Sequence, residues 1–188
     1  MKLWQLDGKL LTTLIGHSKR VNSVNISPDG QIIASASDDN TVKLWRRDGS
    51  LIKELKGHQA QVISVSFSPD GQSLASGSLD STVKLWRRDG TLIRELKGHS
   101  DGVRTVSFSH HGKILASAGW DNTVKLWQQD GTLLKTLTGH SNIITNVSFS
   151  PDGQLLASAS NDGTIKLWQL KNPLLTVLSN DTYEINSV

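Results

Sequence analysis

The chain has 188 residues, 36% of them apolar and 20% charged, with a net charge of +3 and a pI near 9.2. This is a globular composition, not a disordered one, and it is too weakly basic to imply nucleic acid. Cysteine is absent, which excludes disulfides, thiolate catalysis and cysteine-based metal sites, and no apolar run approaches a signal or membrane-spanning segment, so a soluble cytoplasmic protein without a membrane partner is expected.

Lys2-Leu3-Trp4 and the stretch from Lys9 to Leu14 read as two strands. One unit then recurs every 41 residues, marked by Gly16-His17, Gly57-His58, Gly98-His99 and Gly139-His140. Trp4, Trp45, Trp86, Trp127 and Trp168 keep the same interval. A unit this small cannot bury its own apolar faces, so the units must stack.

The unit from Gly57 to Lys97 shows the pattern. Val62 to Phe67 is rich in apolar and β-branched residues and reads as a strand. Ser68-Pro69-Asp70-Gly71 is a hairpin turn, because proline presets φ at its second position and glycine tolerates the positive φ that ends it. Ser73 to Gly77 is a second strand, small on both faces, which suits close packing between sheets. Leu79-Asp80-Ser81 is a tight turn, and Thr82 to Trp86 is a third strand. Asp89-Gly90 is a two-residue hairpin signal, followed by a fourth strand over Leu92 to Leu96.

Four short antiparallel strands at regular spacing predict an all-β fold, a β-propeller of four-stranded blades. No segment keeps a helical period. Complete blades are expected over about 21–55, 62–96, 103–137 and 144–178, with a partial blade over 2–14 and a partial first strand over 183–188, all in one array spanning 1–188. Asn180-Asp181 stands in the place of Gly-His, so the last unit is degraded.

The coincidence of Gly-His, Ser-Pro-Asp-Gly, Ala-Ser and Asp-x-Thr-(Val/Ile)-Lys-Leu-Trp in each unit resembles the WD-repeat family, over nearly the whole chain. Here Trp-Arg or Trp-Gln replaces the family's terminal Trp-Asp. The Arg-Arg-Asp-Gly connectors are similar to those of bacterial WD-repeat arrays. The resemblance implies a propeller acting mainly as a platform for protein partners, with no cofactor. It also implies a structural tetrad in each unit. The four sets are His17, Ser35, Asp39 and Trp45; His58, Ser76, Asp80 and Trp86; His99, Ser117, Asp121 and Trp127; and His140, Ser158, Asp162 and Trp168.

The same serines, histidines and aspartates invite a hydrolase reading. An enzyme needs one exposed nucleophile rather than four equivalent sets, and no oxyanion-hole signature accompanies them. The scaffold reading satisfies a buried histidine at both ring nitrogens and gives the indole N–H an acceptor. Gly119 replaces Ser37, Ser78 and Ser160 in the third unit, yet Ser117 persists four residues before Asp121. His110-His111 replaces Pro-Asp in one turn, with no third ligand nearby, so no metal site is expected. Arg46-Arg47 and Arg87-Arg88 give way to Gln128-Gln129, so no uniform basic stripe for nucleic acid exists and the pairs read as solvated turn residues.

If repeated positions are scaffold, recognition belongs where the units differ. WD-repeat proteins often contact partners at three places per blade on one rim. Carried over, these are Arg20, Gln61, Gly102 and Ile143; Asn22, Ile63, Arg104 and Thr145; and Asp38, Leu79, Trp120 and Asn161. Trp120 is the only tryptophan off the repeat register. With Arg104, and with Ile63 and Leu79 from the preceding blade, it makes the candidate patch, since tryptophan and arginine are enriched in binding hot spots.

Closed WD-repeat propellers usually have more blades than this, most often seven. Four or five would leave sheet faces or strand edges uncovered. A piece of a longer array, a small ring and a homo-oligomer all satisfy that. Self-association is favoured, because unpaired repeat interfaces are self-complementary.

Overall fold

The computed structural model describes residues 1–170. β1 (Lys2–Trp4) and β2 (Leu10–Thr13) form a two-stranded antiparallel sheet. Blade 1 follows with β3 (Val21–Ile26), β4 (Ile32–Ser37), β5 (Val42–Arg46) and β6 (Leu51–Leu55). Blade 2 holds β7 (Val62–Phe67), β8 (Ser73–Ser78), β9 (Thr82–Arg87) and β10 (Leu92–Lys97). Blade 3 holds β11 (Val103–Phe108), β12 (Ile114–Gly119), β13 (Val124–Gln128) and β14 (Leu133–Leu137). Blade 4 holds β15 (Ile144–Phe149), β16 (Leu155–Ser160) and β17 (Ile165–Gln169). Strands pair antiparallel in chain order within each sheet. This is the expected all-β architecture of propeller blades. The expected fourth strand of blade 4 and the partial strand over 183–188 lie outside the described residues.

Local chemistry sets the turns. Gly71 takes φ +67°, a region glycine adopts without strain. Asp70 accepts the Ser68 hydroxyl at 2.5 Å and the Gln72 N–H at 2.9 Å, closing the turn as a side-chain mimic of backbone pairing. In the third unit Gly112 keeps the same conformation, φ +71°, although His110-His111 has replaced Pro-Asp.

Each blade presents a forward face to the next blade and a rear face to the one before. Between blades 1 and 2, the forward face is Ala34, Ala36, Val42, Leu44 and Leu55, packed on Val62, Val65, Phe67, Leu74 and Trp86. The interface between blades 2 and 3 repeats this with Ala75, Val83, Leu85 and Leu96 against Val103, Val106, Phe108, Leu115 and Trp127. The small second strand lets the sheets approach. A Cβ on Gly77 would lie 2.7 Å from the Val103 side chain. Polar side chains stitch the seam as well: Asn25 accepts the Phe67 N–H at 2.9 Å, and Ser64 accepts that of Val106 at 3.1 Å.

The third strand's lysines depart from a solvated pattern. Lys43, Lys84 and Lys125 are buried. Lys43 reaches Glu54 on the fourth strand at 3.1 Å, Lys84 pairs with Glu95, and Lys125 donates to the Thr136 hydroxyl at 3.1 Å. Their stems lie along apolar surface while their heads meet partners at its edge.

Candidate functional site

Antiparallel pairing sorts the loops of each blade to two ends. The Ser-Pro-Asp-Gly turns and Asp-Gly hairpins lie at one end. The Gly-His connections and the aspartate-bearing turns lie at the other.

At that second end each unit carries a closed hydrogen-bond chain. Tryptophan Nε1 donates to serine Oγ at 2.8 Å from Trp45 to Ser35, from Trp86 to Ser76 and from Trp127 to Ser117, and at 2.9 Å from Trp168 to Ser158. The same hydroxyl lies 2.7–2.8 Å from Nε2 of His17, His58, His99 or His140. Nδ1 of each ring lies 2.7–2.8 Å from Asp39, Asp80, Asp121 or Asp162. One tautomer satisfies every atom: histidine donates from Nδ1 to the carboxylate and accepts the serine proton at Nε2. The contacts mimic a Ser-His-Asp triad, but the serine is committed to the indole N–H and sealed in. Ser35, Ser76 and Ser117 are 0% exposed.

The set is larger than the four residues expected. Thr41, Thr82 and Thr164 donate to the other carboxylate oxygen at 2.7 Å, and Thr123 does so at 2.9 Å. The backbone N–H after each histidine adds another bond, such as Gln59 to Asp80 at 2.9 Å. Each aspartate therefore accepts bonds on both oxygens. The invariant threonine two residues after it was the signal in the sequence for this fifth member.

These bonds favour the ionised aspartate. Burial opposes charge on Asp121, but donation from His99 and Thr123 outweighs it and lowers the pKa to about 2. Asp39 is likewise penalised by burial, yet Thr41 and His17 hold it at about 2. Asp80 is lowered against burial by His58 and Thr82, and Asp162 is lowered by Thr164 first and by His140. A carboxylate depressed from its ordinary value of 3.8 stabilises the fold above that value and loses this contribution as pH falls through the native value. Thermal unfolding scans should therefore show the melting temperature dropping between about pH 4 and pH 2 as the unfolded chain takes up protons first. A melting temperature constant over that interval would contradict the network.

The rim lies beside this chain of bonds. One backbone bond in each blade joins the first rim position to the third: Asp38 N–H to Arg20 at 2.9 Å, Leu79 to Gln61 at 2.9 Å, Trp120 to Gly102 at 2.8 Å and Asn161 to Ile143 at 2.9 Å. Blade 1 is polar here, with Asn22 donating to Asp38 at 2.7 Å. In blade 4 Ile143 is half-buried, and Thr145 is exposed and donates to Ala159 at 3.2 Å. Blade 3 differs. Trp120 is 43% exposed, and Arg104 is exposed. A Cβ on Gly102 would lie 2.8 Å from Leu79 Cδ2, so the missing side chain leaves room for Leu79 of blade 2 to pack onto blade 3. Gly102 thus receives the Leu79 side chain from blade 2 and the Trp120 backbone N–H from its own blade. Ile63 is only 8% exposed and belongs to the floor beneath the rim, not to its surface.

Other marked residues lie elsewhere. His110 and His111 are exposed with ring centroids 5.5 Å apart, and among the described residues no three potential ligands converge on one point. Arg88 pairs with Asp29 of the preceding blade's turn at 2.6 Å. Arg87 and Arg88 line a groove of about 620 Å³ with Ile32, Ile52 and Ile93, at the end of the blades opposite Trp120. Among the described residues no helix is long and apolar enough to cross a membrane.

A comparison with curated proteins found no match. A comparison with protein families matched the WD domain, G-beta repeat, four times, over residues 8–46, 49–87, 90–128 and 131–169. Each match begins with the fourth strand of one blade and ends with the third strand of the next, so every sequence repeat ties two blades together. Four such repeats in one register, over most of its length, make this chain a member of the WD-repeat family.

Proposed function

We propose that this protein is a non-catalytic platform that binds protein partners with the rim around Trp120. WD-repeat domains are generally protein-interaction scaffolds and typically non-catalytic. The observation that carries the rim assignment is an exposed tryptophan outside the repeat register, bonded through its backbone N–H to Gly102, against which Leu79 packs, in the blade that also exposes Arg104. Such a residue is a hot-spot anchor, while the repeated residues are consumed by the scaffold. The buried serines support the non-catalytic reading, because a nucleophile must reach its substrate. A net charge of +3 spread without a stripe supports no specific nucleic-acid partner.

Affinity capture with the wild-type chain and with Trp120→Ala and Arg104→Ala tests this. Both variants should fold normally and lose the captured protein. A hot-spot truncation costs about 2 kcal/mol or more, at least tenfold in affinity. Unchanged capture by both variants would sink the patch.

A second reading is favoured by the two ends of the array. Val24 and Ile26 are 51% and 52% exposed at one end, whereas Val65 and Phe67 are 4% and 6% exposed. Apolar surface of this kind marks an interface. The chain accordingly associates with itself as a homo-oligomer.

A further inference from the structure

Every blade-to-blade interface here is a copy of the others, so the chain itself displays what covers an end face. In each, a forward face of small and branched side chains receives the tetrad tryptophan of the next blade. Trp86 sits on Val42 and Leu44, Trp127 on Val83 and Leu85, and Trp168 on Val124 and Leu126. These six aliphatic residues are 0–3% exposed, and the three tryptophans are 2–5% exposed.

The two ends of the array each hold half of this contact. On the forward face of blade 4, Ile165 and Leu167 occupy the register of Val42 and Leu44, and they are 73% and 45% exposed. At the other end, Trp4 on β1 occupies the register of Trp86, and it is 54% exposed. Leu3 and Met1, on the opposite side of β1, already pack against Trp45 and Ile33, so the β1–β2 hairpin is seated as a partial blade with its rear face outward. Among the described residues, one end is a receptor with no tryptophan seated on it, and the other is a tryptophan seated on no receptor. The two faces differ in shape and composition, so neither matches a copy of itself.

Resting on the self-association reading above, we propose that a second copy of this chain seats its β1–β2 hairpin on the forward face of blade 4, with the partner copy's tryptophan at register 4 covering Ile165 and Leu167. The contact is head-to-tail, and each copy offers both halves of it.

Light scattering of the full chain on a size-exclusion column tests this with Trp4→Glu, Ile165→Glu and their equimolar mixture. The wild type should run at two or more times the 20.5 kDa of one copy. Each variant alone retains one half of the contact and should run as a single copy. The mixture pairs the intact face of one variant with the intact tryptophan of the other and should restore a two-copy complex. Both sites are exposed in a single copy, so each variant should keep a cooperative unfolding transition, lowered only by the stabilisation that association gives the wild type; Leu167→Glu provides a second lesion on the same face. A mixture that remains single-copy overturns head-to-tail docking. Variants that keep the wild-type mass overturn this interface while self-association stands, and a single-copy wild type overturns both. None of these outcomes bears on the Trp120 rim.

Discussion

Trp127→Ala is expected to remove about 3–5 kcal/mol of stability, the usual cost of deleting a buried tryptophan. A domain of this size has only about 5–15 kcal/mol in total, so the variant should lose a large share of its stability. The indole is 2% exposed and fills the seam between blades 2 and 3 against Val83, Leu85 and Leu96. Its N–H is the donor to Ser117. The loss therefore combines a cavity, a broken interface between two blades and a serine oxygen that loses its indole donor while keeping its bond to His99. Trp4→Ala makes the internal contrast. It removes the same residue type at the same register, but from a site exposed in the single copy, where surface changes usually stay within about 0.5 kcal/mol apart from any loss of association. Urea denaturation of both variants measures the difference; equal midpoints would contradict the assignment of Trp127 to the structural frame.

Ser117→Ala is expected to cost about 2–4 kcal/mol although it deletes one oxygen. Ser117 Oγ accepts from Trp127 and contacts His99 Nε2 at 2.7 Å. The substitution leaves both partners buried and unpaired, each at about 1–3 kcal/mol. Ser76→Ala should behave alike, because its neighbours are the same. The pair of variants also separates scaffold from catalysis. Generic ester hydrolysis abolished by Ser117→Ala alone, with the fold intact, would revive the hydrolase reading. Parallel losses of stability in the two variants, with no distinct chemical phenotype, fit the scaffold.

Much of this was legible in the sequence because the repeat makes spacing informative. The turn signals at Pro69-Asp70-Gly71 and Asp89-Gly90 bound the strands, and the constant offsets of His58, Ser76, Asp80 and Trp86 select side chains that the structure joins at 2.8 Å. What spacing leaves out is the environment on each side of a strand. Lys84 alternates like a solvated residue, yet the fourth strand folds over it and supplies Glu95. Ile63 follows a rim register, but its side chain is buried in the structure. Gly102 reads as an ordinary departure from Arg20 and Gln61, and only the approach of Leu79 gives its small size a purpose. In each case a neighbouring sheet or strand decides the outcome, and the repeat pattern carries no record of it.

The central claim is a division of labour: repeated side chains hold the frame, and the exposed tryptophan between them recognises a partner. It is tested most directly by measuring melting temperature and partner capture together on Trp120→Ala and the wild type. The division predicts an unchanged melting temperature with capture lost. A fall in melting temperature comparable to that of Trp127→Ala, or capture retained in full, would contradict it.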